Sequence, residues 1–211
     1  MKGNLKRSAA ALALLLLLSS LLSLFSACMP KTDDLRERVE WLLTESQEIN
    51  EVLWGKGLPV WTRDSEFAKE NHIYDDFEED DYLFVSDESR YLSASSIKTE
   101  AERYYAKEFL EKSVYPQTFD GIAIDDGMGY LVFAKARFYD DGDWFYQYKD
   151  AENYFANGSL TYDFSTMKVV RPSNKNTCYV TISATLGSEM ITQRVKLQKQ
   201  NGEWYLASAV G

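Results

Sequence analysis

An α+β fold, with two helices packed on a curved antiparallel sheet behind an export signal, is predicted by three features of the 211-residue chain. Apolar residues recur with a helical period in the first half of the chain. From about residue 130 onward the period shortens to two, the signature of strands with one face buried. Turn dipeptides then punctuate the last third at hairpin spacing. With 45% hydrophobic and 14% aromatic residues, the chain can bury a core, which excludes wholesale disorder. Its organisation reads as a signal peptide over 1–27, an anchor and short tether over 28–32, and one α+β domain over 33–211.

The leader carries Lys2, Lys6 and Arg7 ahead of an unbroken apolar run from Ala9 to Leu18, then Ser26-Ala27-Cys28. A basic start, an apolar core and small residues before a cleavage point describe an export signal. Phe25-Ser26-Ala27-Cys28 resembles the lipobox of bacterial lipoproteins, with Phe25 in place of the usual Leu. That resemblance implies lipid attachment at Cys28 and residence on the extracytoplasmic face of the cell membrane. The alternative is an uncleaved membrane helix, since Ser8 to Pro30 carries no charge and about 20 apolar residues span a bilayer. In both readings the basic residues precede the apolar run, which places the remainder outside the cytosol.

The first helix is expected over 33–54. Leu35, Val39, Leu42, Leu43, Ile49 and Leu53 form its apolar stripe, Asp34 and Glu37 offer a capping box, and Gly55 marks the stop. Trp41, Trp54 and Trp61 are expected to cluster around this element. Residues 63–96 read as an irregular, solvated segment with a short strand at Tyr82–Val85. Eight acids fall between Asp75 and Glu88, and like charges this dense repel. Within it Asp75, Asp76, Glu78, Glu79, Asp80 and Asp81 are candidate contacts for a basic partner. Calcium is the alternative occupant, although the run lacks the alternating ligands and Gly of a calcium loop.

A second helix is expected over 97–113, capped by Ser96, with Ile97, Ala101, Tyr105 and Phe109 repeating every fourth residue and Pro116 beyond its end. A strand over 130–139 follows, alternating Val132, Ala134, Ala136 and Phe138 against a mixed face. The meander is expected at 167–171, 177–186, 190–199 and 203–209, with Gly187-Ser188 and Asn201-Gly202 as its hairpin turns. Asp125-Asp126-Gly127 and Asp140-Asp141-Gly142-Asp143 read as turns between strands. Asn157-Gly158-Ser159 fits a glycosylation sequon, but behind a bacterial-type signal it too reads as a turn.

Charge and composition then exclude several functions. The 23 bases and 33 acids leave an acidic chain, which argues against nucleic-acid binding. One His and two Cys cannot build a Cys/His zinc site, and no metal or cofactor is expected. Removal of 1–27 leaves 20 bases against 33 acids, with 167–211 at +4 and 28–166 at −17. With Cys28 modified, Cys178 is alone, and its place among Val180, Ile182, Ala184 and Leu186 makes it a buried thiol. His72, the one histidine, sits beside the acidic segment and reads as solvated or locally paired. Neither a nucleophile with its base nor a phosphate-binding Gly loop is present, so no catalytic residue is assigned.

The pattern from Val195-Lys196-Leu197 to Asn201-Gly202-Glu203-Trp204-Tyr205-Leu206, after two helices, resembles the last hairpin of exported cystatin-like and NTF2-like α+β domains. More closely, Ile49-Asn50 through Trp54-Gly55 and Gly57-Leu58-Pro59, Ser89 with Tyr91 and Ser93, the helix from Ile97 to Tyr115 and the final meander resemble Firmicute lipoproteins related to the DL-endopeptidase-inhibitor family. The resemblance implies inhibition of a cell-wall hydrolase, and the anchor, the −17 region, the aromatic abundance and the lack of catalytic groups point to a non-catalytic, lipid-anchored envelope module that binds a protein or a cell-wall ligand. A second reading stands beside it: a small enzyme or ligand carrier with an NTF2-like cone. Some enzymes of that fold pair a Tyr with an Asp, as ketosteroid isomerase does. Tyr104, Tyr105, Tyr130 and Tyr139 are its candidate cavity-lining residues.

Overall fold

The computed structural model describes residues 32–75, 77, 81–125, 131–150 and 160–210. The leader with Cys28, the acids Asp76, Glu78, Glu79 and Asp80, Tyr130 and the 157–159 sequon lie outside them. Among the described residues no helix is long and apolar enough to cross a membrane.

Over the described residues the chain is α+β, with two four-stranded antiparallel sheets and a separate antiparallel pair of strands where one curved sheet was expected. The first helix is two: α1 (Thr32–Glu45) and α2 (Gln47–Leu53). Ser46 joins them with backbone bonds intact on both sides, so the expected stripe still runs through both, with Leu35, Val39, Leu42, Leu43, Ile49 and Leu53 buried. Helix α1 begins at Thr32, which puts Asp34 and Glu37 inside it instead of at a cap. After β1 (Val60–Trp61) and the short α3 (Glu66–Glu70) comes β2 (Tyr82–Val85).

The second helix departs from its expected range. Helix α4 spans Ala94–Ala101, and its cap is Ser93, not Ser96. The two serines form a reciprocal capping box, Ser93 accepting from Ser96 N–H at 3.2 Å and Ser96 from Ser93 N–H at 3.3 Å. The chain then leaves the helix because Tyr104–Ala106 lie along the edge of the last strand. Leu206 N–H donates to Tyr104 O at 2.9 Å, and Ala106 N–H to Leu206 O at 2.7 Å. Helix resumes at α5 (Lys107–Phe109) and widens into π-type turns at Leu110–Val114 and Pro116–Asp120. Local periodicity favoured one helix; pairing with a strand edge distant in sequence divides it.

The expected 130–139 strand is also divided. β4 (Leu131–Ala134) pairs with β3 (Ile122–Asp125), whereas β5 (Phe138–Asp140) joins β6 (Phe145–Tyr148) in a different sheet. The first sheet has the order β1-β2-β6-β5. The second is the meander β7 (Leu160–Asn174), β8 (Thr177–Leu186), β9 (Glu189–Gln200) and β10 (Glu203–Leu206), in sequence order across the sheet. The hairpin signals hold: Gly187, Asn201 and Gly202 all have positive φ. Burial alternates along β8, with Cys178, Val180, Ile182 and Ala184 inward.

Helix α1 lies on the meander and is tied to it by side chains. Arg36 donates to Phe164 O and Met167 O at 3.0 Å each, and Arg38 to Trp204 O at 3.0 Å. One large core joins α1, α2, α4 and the inner faces of both sheets. A second, aromatic cluster of Tyr82, Phe84 and Tyr146 lies on the opposite face of the first sheet.

Candidate functional site

The space between the helices and the meander, where a ligand cone would lie, is occupied by side chains. Tyr105, Leu110, Val180, Ile182, Leu197 and Leu206 are fully buried there. Tyr105 packs edge-on against Trp54, with ring centroids 5.3 Å apart, and donates its hydroxyl to Asn50 Oδ1 at 2.5 Å. Asn50 in turn donates to Ser46 Oγ at 3.2 Å. Burial drives the Tyr105 hydroxyl pKa well above its ordinary value of 10, so the phenol is fixed as a neutral donor. This buried Ser–Asn–Tyr chain satisfies polar groups inside the core.

The nominated tyrosines do not come together. Tyr104 is buried near the surface, donating to Glu100 at 2.9 Å and packing at 5.5 Å from Trp41. Glu100 also accepts from Arg103 at 2.8 Å, and its pKa lies below the usual value because the Arg103 and Tyr104 bonds outweigh the effect of burial. Tyr139 is 47% exposed on the first sheet. Two open surface grooves, of about 310 and 330 Å³, are lined by Glu108, Phe109 and Lys112 with Lys196, and by Lys168 with Thr181 and Thr192. None of the three described tyrosines lines either groove. Nor do the tryptophans cluster: Trp54 is in the core, Trp41 faces Tyr104, and Trp61 stacks on Phe67 at 4.5 Å.

The described residues of the acidic segment pack on the protein instead of forming a solvated loop. Its aromatic residues fold back on the outer face of the first sheet. The Tyr74 hydroxyl bridges two strands, donating to Trp61 O and accepting from Phe84 N–H at 3.1 Å. Phe77 lies flat on Tyr146, centroids 4.9 Å apart and planes 7° from parallel. Burial of these rings holds the described part of the segment against the sheet. Asp81 sits between Lys135 at 2.8 Å and Lys149 at 3.0 Å, which hold its carboxyl below the usual range. Asp75 accepts from His72 at 2.7 Å, and both are exposed, the local pairing expected for this histidine. Of the six candidate acids, these two are the ones described, and both are engaged within the chain.

The outer face of the first sheet carries a feature that the sequence reading missed. Its register sets Tyr82 opposite Tyr148 and Tyr146 opposite both Phe84 and Tyr139. With Trp144 these form one file of rings. Successive centroids are 5.8 Å (Tyr148–Tyr82), 6.0 Å (Tyr82–Tyr139), 5.6 Å (Tyr139–Tyr146), 4.7 Å (Tyr146–Phe84) and 5.4 Å (Phe84–Trp144). Trp144 and Tyr139, about half exposed, end on solvent. Beside them Asp140-Asp141-Gly142-Asp143 forms the expected turn. Asp141 accepts from Asp143 N–H at 3.0 Å and Trp144 N–H at 2.7 Å, and from the Tyr146 hydroxyl at 2.6 Å. The alternation Trp144, Tyr146, Tyr148 was the available signal; β6 is too short for its period to stand out before its neighbours are known.

At Cys178 the expectation of a buried thiol holds: burial raises its pKa, which lowers its reactivity. Among the described residues no group of three metal-ligating side chains is assembled. Compared with protein-family models, with curated proteins and with solved structures, the chain finds no match in any of the three.

Proposed function

We propose that this chain is a lipid-anchored binding module of the bacterial cell envelope, held on the extracytoplasmic face through Cys28. It acts without catalysis, by engaging a cell-wall hydrolase or another envelope protein and restraining it. The observation that carries this reading over the pocket enzyme is the filled interior: the space a substrate would need holds Tyr105, Trp54 and Leu206. Helices lying against a four-stranded meander support a cystatin-like or NTF2-like half, to which the β1-β2-β6-β5 sheet is added. A module of this kind works through its surface, and its surface is acidic and locally aromatic.

Cross-linking in intact cells that express the full chain, followed by mass spectrometry, tests the reading. Recovery of an envelope protein, together with membrane retention and a lipid-sized mass increment that Cys28→Ala abolishes, is the expected outcome. A Cys28→Ala chain that stays in the membrane at unchanged mass would remove the anchor. Turnover of a small molecule by the purified chain would remove the non-catalytic assignment.

A further inference from the structure

We infer that the outer face of the first sheet, at Tyr139 and Trp144, is a docking surface for the Arg and Lys side chains of a basic protein partner. The inference deepens the binding-module reading and rests on it. The first ground is the ring file itself. Its rings Tyr146 and Phe84 are covered by the chain's own Phe77 and Tyr74, whereas on either side of them Trp144 is 51% and Tyr139 47% exposed. Large aromatic rings left open beside a packed row form the kind of patch that binds.

The second ground is charge, and the same face shows how it is used. Elsewhere on this face, cations already sit on rings. Lys135 Nζ lies 5.7 Å over Tyr82 while held 2.8 Å from Asp81, and the Arg63 guanidinium lies 4.5 Å over Tyr74. Ring, carboxylate and cation thus form a complete trio within the chain. Near the two open rings carboxylates recur, with Asp141 and Asp143 in the turn that leads into Trp144. Among the described residues no Lys or Arg pairs with those two carboxylates or lies over Tyr139 or Trp144. A cation from outside completes the trio, attracted by the ring faces and the carboxylates together. The −17 balance of residues 28–166 adds long-range steering toward a basic surface. A neutral saccharide could also stack on the rings, but it would leave the carboxylates without an opposite charge.

Titration calorimetry of the full chain in detergent, with an arginine- and lysine-rich synthetic peptide as probe, tests this. Trp144→Leu and Tyr139→Leu keep apolar contact with Phe84 and Tyr146 but remove the open ring face. Each is expected to weaken binding about fivefold or more. Trp144→Phe should recover part of the loss, and Asp143→Asn should weaken binding and flatten its salt dependence. A control chain with Glu37→Gln, Glu40→Gln and Glu189→Gln, exposed acids on α1 and β9 and not on the first sheet, should bind within about twofold of wild type. Equal loss in that control would reduce the effect to net charge and overturn the inference, as would Leu variants that bind like wild type with unchanged near-UV circular dichroism. Salt-insensitive binding of a chitin oligosaccharide, lost in Trp144→Leu while peptide binding persists, would reassign the face to glycans. An envelope partner captured equally by wild type and Trp144→Leu would remove the docking surface at Tyr139 and Trp144 and leave the binding module standing.

Discussion

Two buried contacts fasten the end of α2 to the first sheet, and both depend on single residues. Gly57 has φ of +85°, and a Cβ there would fall inside van der Waals contact of Gln147 Oε1. That oxygen is already used: it accepts from Leu58 N–H at 2.6 Å. Gly57→Ala therefore combines left-handed strain with displacement of a buried acceptor, and should cost about 2–3 kcal/mol in urea unfolding. Arg137, 3% exposed, donates to Val52 O at 2.8 Å and to Gly55 O, satisfying carbonyls at the C-terminus of α2. Arg137→Leu leaves those carbonyls without their donor and should lower stability by about 2–4 kcal/mol, read from the same unfolding midpoint. The sequence marked Gly55 and Gly57 as breakers but gave no sign of Arg137, because its partners lie 82 and 85 residues away.

The elements differ in how far their own residues determine them. Helix α4 carries its start signal locally, and Ser93→Ala should cost about 1 kcal/mol by opening the capping box. Because Ile97 and Ala101 remain packed, the measured loss should appear in the unfolding midpoint with little change in far-UV circular dichroism. The meander is legible in its turns, which require positive φ, and in β8, whose burial alternates along its ten residues, whereas β7 starts well before the expected 167 and β10 ends at Leu206 instead of 209. Helix α4's early end was not legible. Tyr105 fits a helical repeat in sequence, yet its backbone position is set by the edge of β10 and its side chain by Asn50. The first sheet was legible only at β2, because β1, β5 and β6 are two to four residues long and acquire meaning through pairing.

For the whole molecule, burial of phenols and pairing of carboxylates fix the pH range of the fold. Burial raises Tyr91 and Tyr162 to about 12, and it raises Tyr105, Tyr115 and Tyr146 as well. An acid whose folded pKa lies above its unfolded value of 10 contributes stability that is complete below pH 10 and is lost as pH rises toward the folded value. Titration followed at 295 nm should therefore show this buried set ionising only with unfolding, above pH 10. The carboxylates act in the opposite sense. Asp81 is lowered by Lys135 and Lys149, Asp141 by the Tyr146 hydroxyl, and Glu108 by Lys112 and Gln198. Their contribution is present above the unfolded values of 3.8 and 4.5 and fades as pH falls through the lowered folded values. The unfolding midpoint should thus hold from neutral pH to about 5 and decline below it.

By itself the sequence determined what depends on neighbours along the chain: the stripe of α1 and α2, the hairpins at Gly187 and Asn201-Gly202 and the burial of Cys178. These follow from periodicity and turn conformation, which act over a few residues. Only the tertiary structure decided that Tyr104, Tyr105 and Tyr139 separate, that the interior is filled, and that the acidic segment covers a file of rings ending at Trp144. Those outcomes depend on which strands pair across 60 residues or more, as β2 does with β6, and on where burial of large aromatic surface outweighs repulsion between nearby carboxylates.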